Sequence, residues 1–232
     1  MLLQMVRARR RQILVDINTQ QDFLLAHGNA CIRNHRRVLM HIRRMMAWAR
    51  KNDIPLISTC QINYGEDGYG ESHTMLYKGL AKVSYTQLSN HISFAADKYT
   101  DLPSDVMQRY RQVILHKRTI DPFEEPRIDR LLSEIKAAEF VLMGTCTEGA
   151  VQSTALGLIQ RGKNVTVVTD AVGSRDHNEA KMALRKMEAK GAHMIETRRL
   201  AGDTRLQQVH ACQCESCRRV AAKTPVMAER EV

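Results

Sequence analysis

Apolar residues in this chain fall into short unbroken runs that alternate with longer stretches of helical period. QILVD (Gln12 to Asp16) and IPLIST (Ile54 to Thr59) are rich in branched side chains and lack in-out alternation, as parallel strands covered on both faces require. Between them, Asn34 to Lys51 carries Val38, Leu39, Ile42, Met45, Met46 and Ala49 at helical spacing with arginines opposite, which predicts an amphipathic helix. QVILH (Gln112 to His116), Phe140 to Met143, Asn164 to Thr169 and His193 to Glu196 supply four more strands. Pro126 to Ala138, Ala150 to Arg161 and Glu179 to Lys190, the last stopped by Gly191, supply three more helices. The segment from Val83 to Tyr110 is weakly patterned and yields only a short helix over Ser104 to Tyr110, with Ser104 as its cap. The polar stretch YGEDGYGESH after the second strand has no period and reads as loop. Strands alternating with helices imply right-handed βαβ units. The expected fold is therefore α/β: a doubly wound, mostly parallel six-stranded sheet with helices on both faces, in three layers.

Periodicity ends near residue 206. Residues 1–11 read as a basic arm, 12–205 as one domain and 206–232 as a basic, cysteine-rich tail. A chain of 232 residues with 44% hydrophobic positions suits one core, and a domain of this size buries roughly 70% of its unfolded surface without needing disulfides or metal. The apolar residues before Arg7 are too few for an export signal or a membrane span, and six cysteines without a regular framework fit a reducing cytoplasm. The net charge of +10 comes partly from Arg7, Arg9, Arg10 and Arg11 and partly from Arg33, Arg36, Arg37, Arg43, Arg44, Arg50 and Lys51. No nucleic-acid motif accompanies it, so the expectation is a solvated helix face and basic arm, with neither nucleic acid nor membrane as partner.

In an open parallel sheet, ligands bind beyond the carboxyl ends of the strands. Asp16 closes the first strand, Lys117 follows the third, and GTCTEGAV (Gly144 to Val151) links the fourth to its helix. Brought together, Asp16 and Lys117 would form an ion pair able to pass a proton. The helix beginning near Ala150 would aim backbone N–H groups at a developing oxyanion, and a nucleophile is expected at such a turn.

DINTQQDF (Asp16 to Phe23), HKRTIDPF (His116 to Phe123) and GTCTEGAVQSTALGLIQRGKNVTVVTDAVGS (Gly144 to Ser174) resemble, in order, the three signature regions of the isochorismatase-like cysteine hydrolases. The likeness spans Gln12 to Thr197. It implies a hydrolase acting on a small molecule at an amide, C–N or vinyl-ether bond, with no cofactor required by the domain and a homo-oligomeric state. In that family an aspartate takes the thiol proton, a lysine orients and stabilises, and a cysteine attacks a carbonyl. Carried over by position, Asp16 is the acid or base and Lys117 its partner, while Phe23, Thr145 and Gly149 fall to substrate binding.

The nucleophile does not carry over. The family pattern runs Gly, five residues, Cys-Val, two residues, Thr; Val151 and Thr154 hold that frame, and the cysteine place is Ala150. Cys146, in the same turn, is the alternative thiol. The first signature, usually Asp, apolar, Gln, one short residue, Asp, Phe, is read here with an insertion between Asp16 and Asp22. The metal-binding nicotinamidase branch has an aspartate and a histidine two apart after the second strand, where this chain has Gln61 and Asn63, so that metal is not expected. Three readings follow: an enzyme that protonates a vinyl ether from Asp16 without a thiol, a pseudoenzyme binding a small carbonyl compound or a partner protein, and an introduced alanine that traps substrate.

Outside the domain, His210, Cys212, Cys214 and Cys217 form H-x-C-x-C-x-x-C, a Cys₃His set that could hold zinc in the tail. Tyr64, Tyr69 and Tyr77 are expected along the loop after the second strand. Asp170 is expected to anchor the turn after the fifth strand, and Trp48 to serve as core or interface.

Overall fold

The covered runs do form strands. In the computed structural model, which describes residues 12–62 and 80–202, strand β1 (Gln12–Ile17) lies between β2 (Leu56–Gln61) and β5 (Glu139–Thr145). Outside β2 come β4 (Gln112–Lys117) and β3 (His91–Phe94), and outside β5 come β6 (Val165–Gly173) and β7 (His193–Ile195). All pairs are parallel, in the order β3-β4-β2-β1-β5-β6-β7. The strand order reverses at β1 and β5, so the crevice of the doubly wound sheet opens beyond their carboxyl ends.

The helices are α1 (Gln21–Leu24), α2 (His35–Lys51), α3 (Val106–Arg109), α4 (Pro126–Glu134), α5 (Gln152–Gln160), α6 (His177–Ala189) and α7 (Thr197–Ala201). On one face, Val38, Ile42, Met45, Met46, Trp48 and Ala49 of α2 and Ala201 of α7 pack with Leu14, Leu56, Val141, Met143 and Val168. On the other, Ile128, Leu131, Leu132, Ala155, Leu158 and Met187 of α4, α5 and α6 pack with Val15, Ile57, Val113, Leu142 and Val167. Alternate residues of each strand feed opposite layers, and each fully buried large apolar side chain contributes about 1.5–3 kcal/mol.

The architecture is the expected one, with seven strands in place of six. The extra strand, β3, is a four-residue edge strand whose side chains are only partly covered, so it lacks the apolar run that marks the central strands. Helix α4 stops at Glu134, where Ile135 adopts an extended conformation. Asp105, not Ser104, precedes α3, without a side-chain cap. Asp170 lies within β6 rather than at its end; its Oδ1 accepts from Thr197 N at 2.8 Å and Thr197 Oγ1 at 2.7 Å, which anchors α7. Among the described residues, no helix is long and apolar enough to cross a membrane.

Candidate functional site

The strand register decides where the expected acid and its lysine point. Ile17 pairs with Thr59, and Thr59 with Leu115, so these three share a phase across β1, β2 and β4, and Lys117, two residues beyond Leu115, keeps it. Asp16 is one residue out of that phase, in step with Ser58 and Ile114. Because side chains alternate with period two, Asp16 faces the α2 layer and Lys117 the α4–α5 layer.

The expected Asp16–Lys117 ion pair therefore does not form. The cation on Asp16 is Lys82, whose Nζ lies 2.6 Å from Oδ2 and 2.7 Å from Thr19 Oγ1. Ser58 Oγ donates to the same carboxylate oxygen at 3.0 Å, and Gln112 Nε2 donates to Ser58 Oγ at 2.8 Å. Asp16 has no exposed surface. Lys82 arrives on a segment pinned to the turn after β1: Gln21 N donates to Ala81 O and Val83 N to Thr19 O, each at 2.9 Å.

Lys117 Nζ donates to Gln61 Oε1, to Thr119 O at 2.7 Å and to Ile120 O at 3.3 Å. Three acceptors match the three donors of an ammonium. Burial nevertheless pushes its pKa down from 10.5 to about 8, and the carboxylates and thiols that oppose this shift belong to Cys60, Asp121, Cys146 and Glu125. Gln61 is held at every end: Nε2 donates to Arg118 O at 2.8 Å, while its backbone N and O engage the Gln20 amide at 2.9 and 2.8 Å. A neutral amide committed in this way does not suit a divalent cation.

At the carboxyl end of β1 the residue in position is Asn18. It adopts φ +46°, is buried, donates its N–H to Thr59 O at 2.9 Å and accepts the Thr145 hydroxyl on its carbonyl at 2.9 Å. Its Oδ1 is buried with no hydrogen-bond partner. Thr145 thus ties β1 to the turn that follows β5, and the Thr145–Cys146 peptide is cis. Cys146 O accepts from Gly149 N and Val151 N, both at 3.1 Å, in a π turn over Thr147–Val151 that leads into α5. Ala150 is buried in the α4–α5 cluster, and Thr154 Oγ1 donates to its carbonyl at 2.6 Å. Gly149 faces Ile120, with room for a Cβ at 3.6 Å from Cγ2, so the Lys117 loop and the turn are neighbours. The Cys146 thiol packs toward the α2 layer; burial first, and then Glu148, push its pKa up to about 11.

The sequence model of the isochorismatase domain matches residues 12–199. The chain belongs to the isochorismatase family. Solved structures of similar fold include an isochorismatase family protein from Desulfovibrio vulgaris (20% identity, 83% of this chain and 97% of that one, TM-score 0.62). The pyrazinamidase of Pyrococcus horikoshii in complex with zinc is another (17%, 80% and 99%, TM-score 0.60). The MAR1 ribonuclease of Caenorhabditis elegans is a third (22%, 97% and 96%, TM-score 0.53). No protein of curated function matches the chain in sequence.

Within this isochorismatase domain, Lys117, Thr145, Cys146, Gly149 and Ala150 gather at the crevice, while Asp16 lies in the layer behind it. Phe23 packs in the α2 cluster with its side chain buried. Lys82 was missed because it lies in an unpatterned stretch outside the three signatures. Asn18 was legible: read without an insertion, the first signature puts Gln20, Asp22 and Phe23 on the pattern's Gln, Asp and Phe, and Asn18 on its first aspartate. The zinc candidate His210, Cys212, Cys214 and Cys217, together with Asn63, Tyr64, Tyr69 and Tyr77, lies outside the described residues. Among those described, no three His, Cys, Asp or Glu side chains are grouped to hold a metal.

Proposed function

We propose that this isochorismatase domain binds a small carbonyl compound at the carboxyl ends of β1, β4 and β5 without the covalent chemistry of its family. The carrying observation is that Asp16 is sealed against Lys82 on the opposite side of the sheet from Lys117. In this reading Asn18 and Ala150 stand where the family has its aspartate and cysteine, so the crevice offers neither a base nor a nucleophile beside the lysine. Asn18 contributes a neutral amide that can accept from a ligand N–H or O–H, Gly149 and Ile120 line the approach, and the buried Thr145 holds Asn18 in place through its carbonyl. Cys146 is a poor substitute nucleophile: a thiol with a pKa of about 11 is on the order of one part in ten thousand thiolate at neutral pH. Protonation of a vinyl ether from Asp16 has no route to the crevice.

The test measures ammonia release from nicotinamide and pyrazinamide, and hydrolysis of isochorismate, alongside calorimetric binding of the same compounds. The unaltered chain is expected to bind without turnover. Ala150→Cys alone should stay inactive, and Asn18→Asp with Ala150→Cys should gain amidase activity that Asp16→Asn does not remove. Turnover by the unaltered chain that Asp16→Asn abolishes would overturn the reading.

A further inference from the structure

Charge on this molecule is segregated. From Phe23 to Asn52 there is no aspartate or glutamate, and the same stretch carries Arg33, Arg36, Arg37, Arg43, Arg44, Arg50 and Lys51. Arg33, Arg36 and Arg37 are exposed at the start of α2, whose first turn has no acidic residue. Like charges three and four apart, set at the positive end of a helix dipole, are locally unfavourable. Helix α6, by contrast, interleaves Glu179 and Glu188 with Lys181, Arg185 and Lys186. The α2 arrangement is thus not what helix stability alone selects.

The tertiary structure extends the strip at both ends. Asn34 Oδ1 accepts Ser174 N at 3.3 Å, which brings Arg175 beside the start of α2, and Arg175 N donates to Glu148 Oε1 at 3.1 Å in the turn after β5. At the other end, Arg44 Nη2 donates to Gly202 O at 3.1 Å, joining α2 to α7 and its exposed Arg199. The carboxylates along the strip are already engaged. Asp176 caps α6, Asp170 holds Thr197 and lies 3.0 Å from His41, Glu196 pairs with Arg198 at 2.8 Å, and Glu148 accepts Arg175 N at 3.1 Å. Arg33, Arg36, Arg37 and Arg199 make no ion pair among the described residues.

We propose that this strip, from Arg175 across Arg33, Arg36 and Arg37 to Arg44 and Arg199, binds the sugar-phosphate backbone of a nucleic acid. Guanidinium forks match phosphate oxygens in pairs, which favours arginine over lysine where phosphates are held. The only large apolar side chain exposed on the strip is Met40. A protein interface of this extent would be built around a buried apolar centre, so the charge is matched to phosphates rather than to an acidic protein.

Fluorescence anisotropy of the full chain with a labelled single-stranded RNA and its DNA counterpart, from about 50 to 300 mM salt, tests this. Binding is expected, with log Kd rising linearly with log salt. Arg33→Gln/Arg36→Gln/Arg37→Gln should weaken it at least ten-fold and lower the salt slope by roughly two. Arg175→Gln/Arg199→Gln, on two other elements, should weaken it several-fold, and neither variant should lower the thermal midpoint of the unaltered chain. Three results would overturn the proposal: no binding at low salt, loss confined to an Arg7, Arg9, Arg10 and Arg11 glutamine variant, or competition by poly-glutamate as strong as by RNA at equal charge.

Discussion

Lys82 Nζ and Asp16 Oδ2 lie 2.6 Å apart between the sheet and α2, and neither side chain is more than 4% exposed. A buried pair contributes little net stability over an apolar pair, but removing one partner leaves a charge with no compensation. Lys82→Met is therefore expected to destabilise the fold by about 3–5 kcal/mol in urea unfolding, and Asp16→Leu/Lys82→Met by clearly less. Equal losses in the single and double variants would mean that the pair does not hold the layer together.

Lys117 couples stability to pH. Its pKa is about 8 in the folded chain and 10.5 when exposed, so between those values the unfolded chain binds more protons and stability rises with pH. The cost is fully present below pH 8 and is relieved by roughly 3 kcal/mol toward pH 10.5. Cys60 and Cys146, raised from 9.0 to about 11, act in the opposite sense above pH 9. The difference in unfolding free energy between the unaltered chain and Lys117→Met isolates the lysine and should climb across this window; a flat difference would refute the assignment.

Burial protects the Cys146 thiol. At pH 8, iodoacetamide should label Cys146 roughly a hundred-fold more slowly than free cysteine, with labelling rising about ten-fold per pH unit and levelling off only near pH 11. Peptide mapping by mass spectrometry over a pH series reads this directly. Fast labelling at pH 8 would restore Cys146 as a nucleophile.

Gly144 allows β1 and β5 to approach at the crevice. It has φ +123°, and a Cβ there would lie 1.9 Å from the Ile17 carbonyl oxygen. Gly144→Ala should cost at least about 3 kcal/mol, combining a disfavoured backbone conformation with a clash against main chain. Chemical denaturation measures it, and a loss under 1 kcal/mol would show that the strands can part without penalty.

Central elements were legible because they are covered on both faces. QILVD, IPLIST and QVILH carry apolar residues on both faces of the sheet, and the α2 stripe of Val38, Ile42, Met45, Met46 and Ala49 follows the one face that packs. His91–Phe94 was not legible, because an edge strand with partly covered side chains needs no such run. The turn from Gly144 to Val151 was visible as a motif, but the tie between Thr145 and Asn18 spans 127 positions and leaves no local mark.

By itself the sequence determined the alternation of strands and helices, the crevice beyond β1 and β5, and the alanine in the turn, since all of these rest on local period and local frame. Only the tertiary structure decided what Asp16 is for. Its face of the sheet depends on a one-residue phase in the register between β1, β2 and β4, and its partner Lys82 lies 66 positions away on a segment with no pattern of its own. Side-chain alternation turns that single step of phase into burial beneath α2, which separates Asp16 from Lys117.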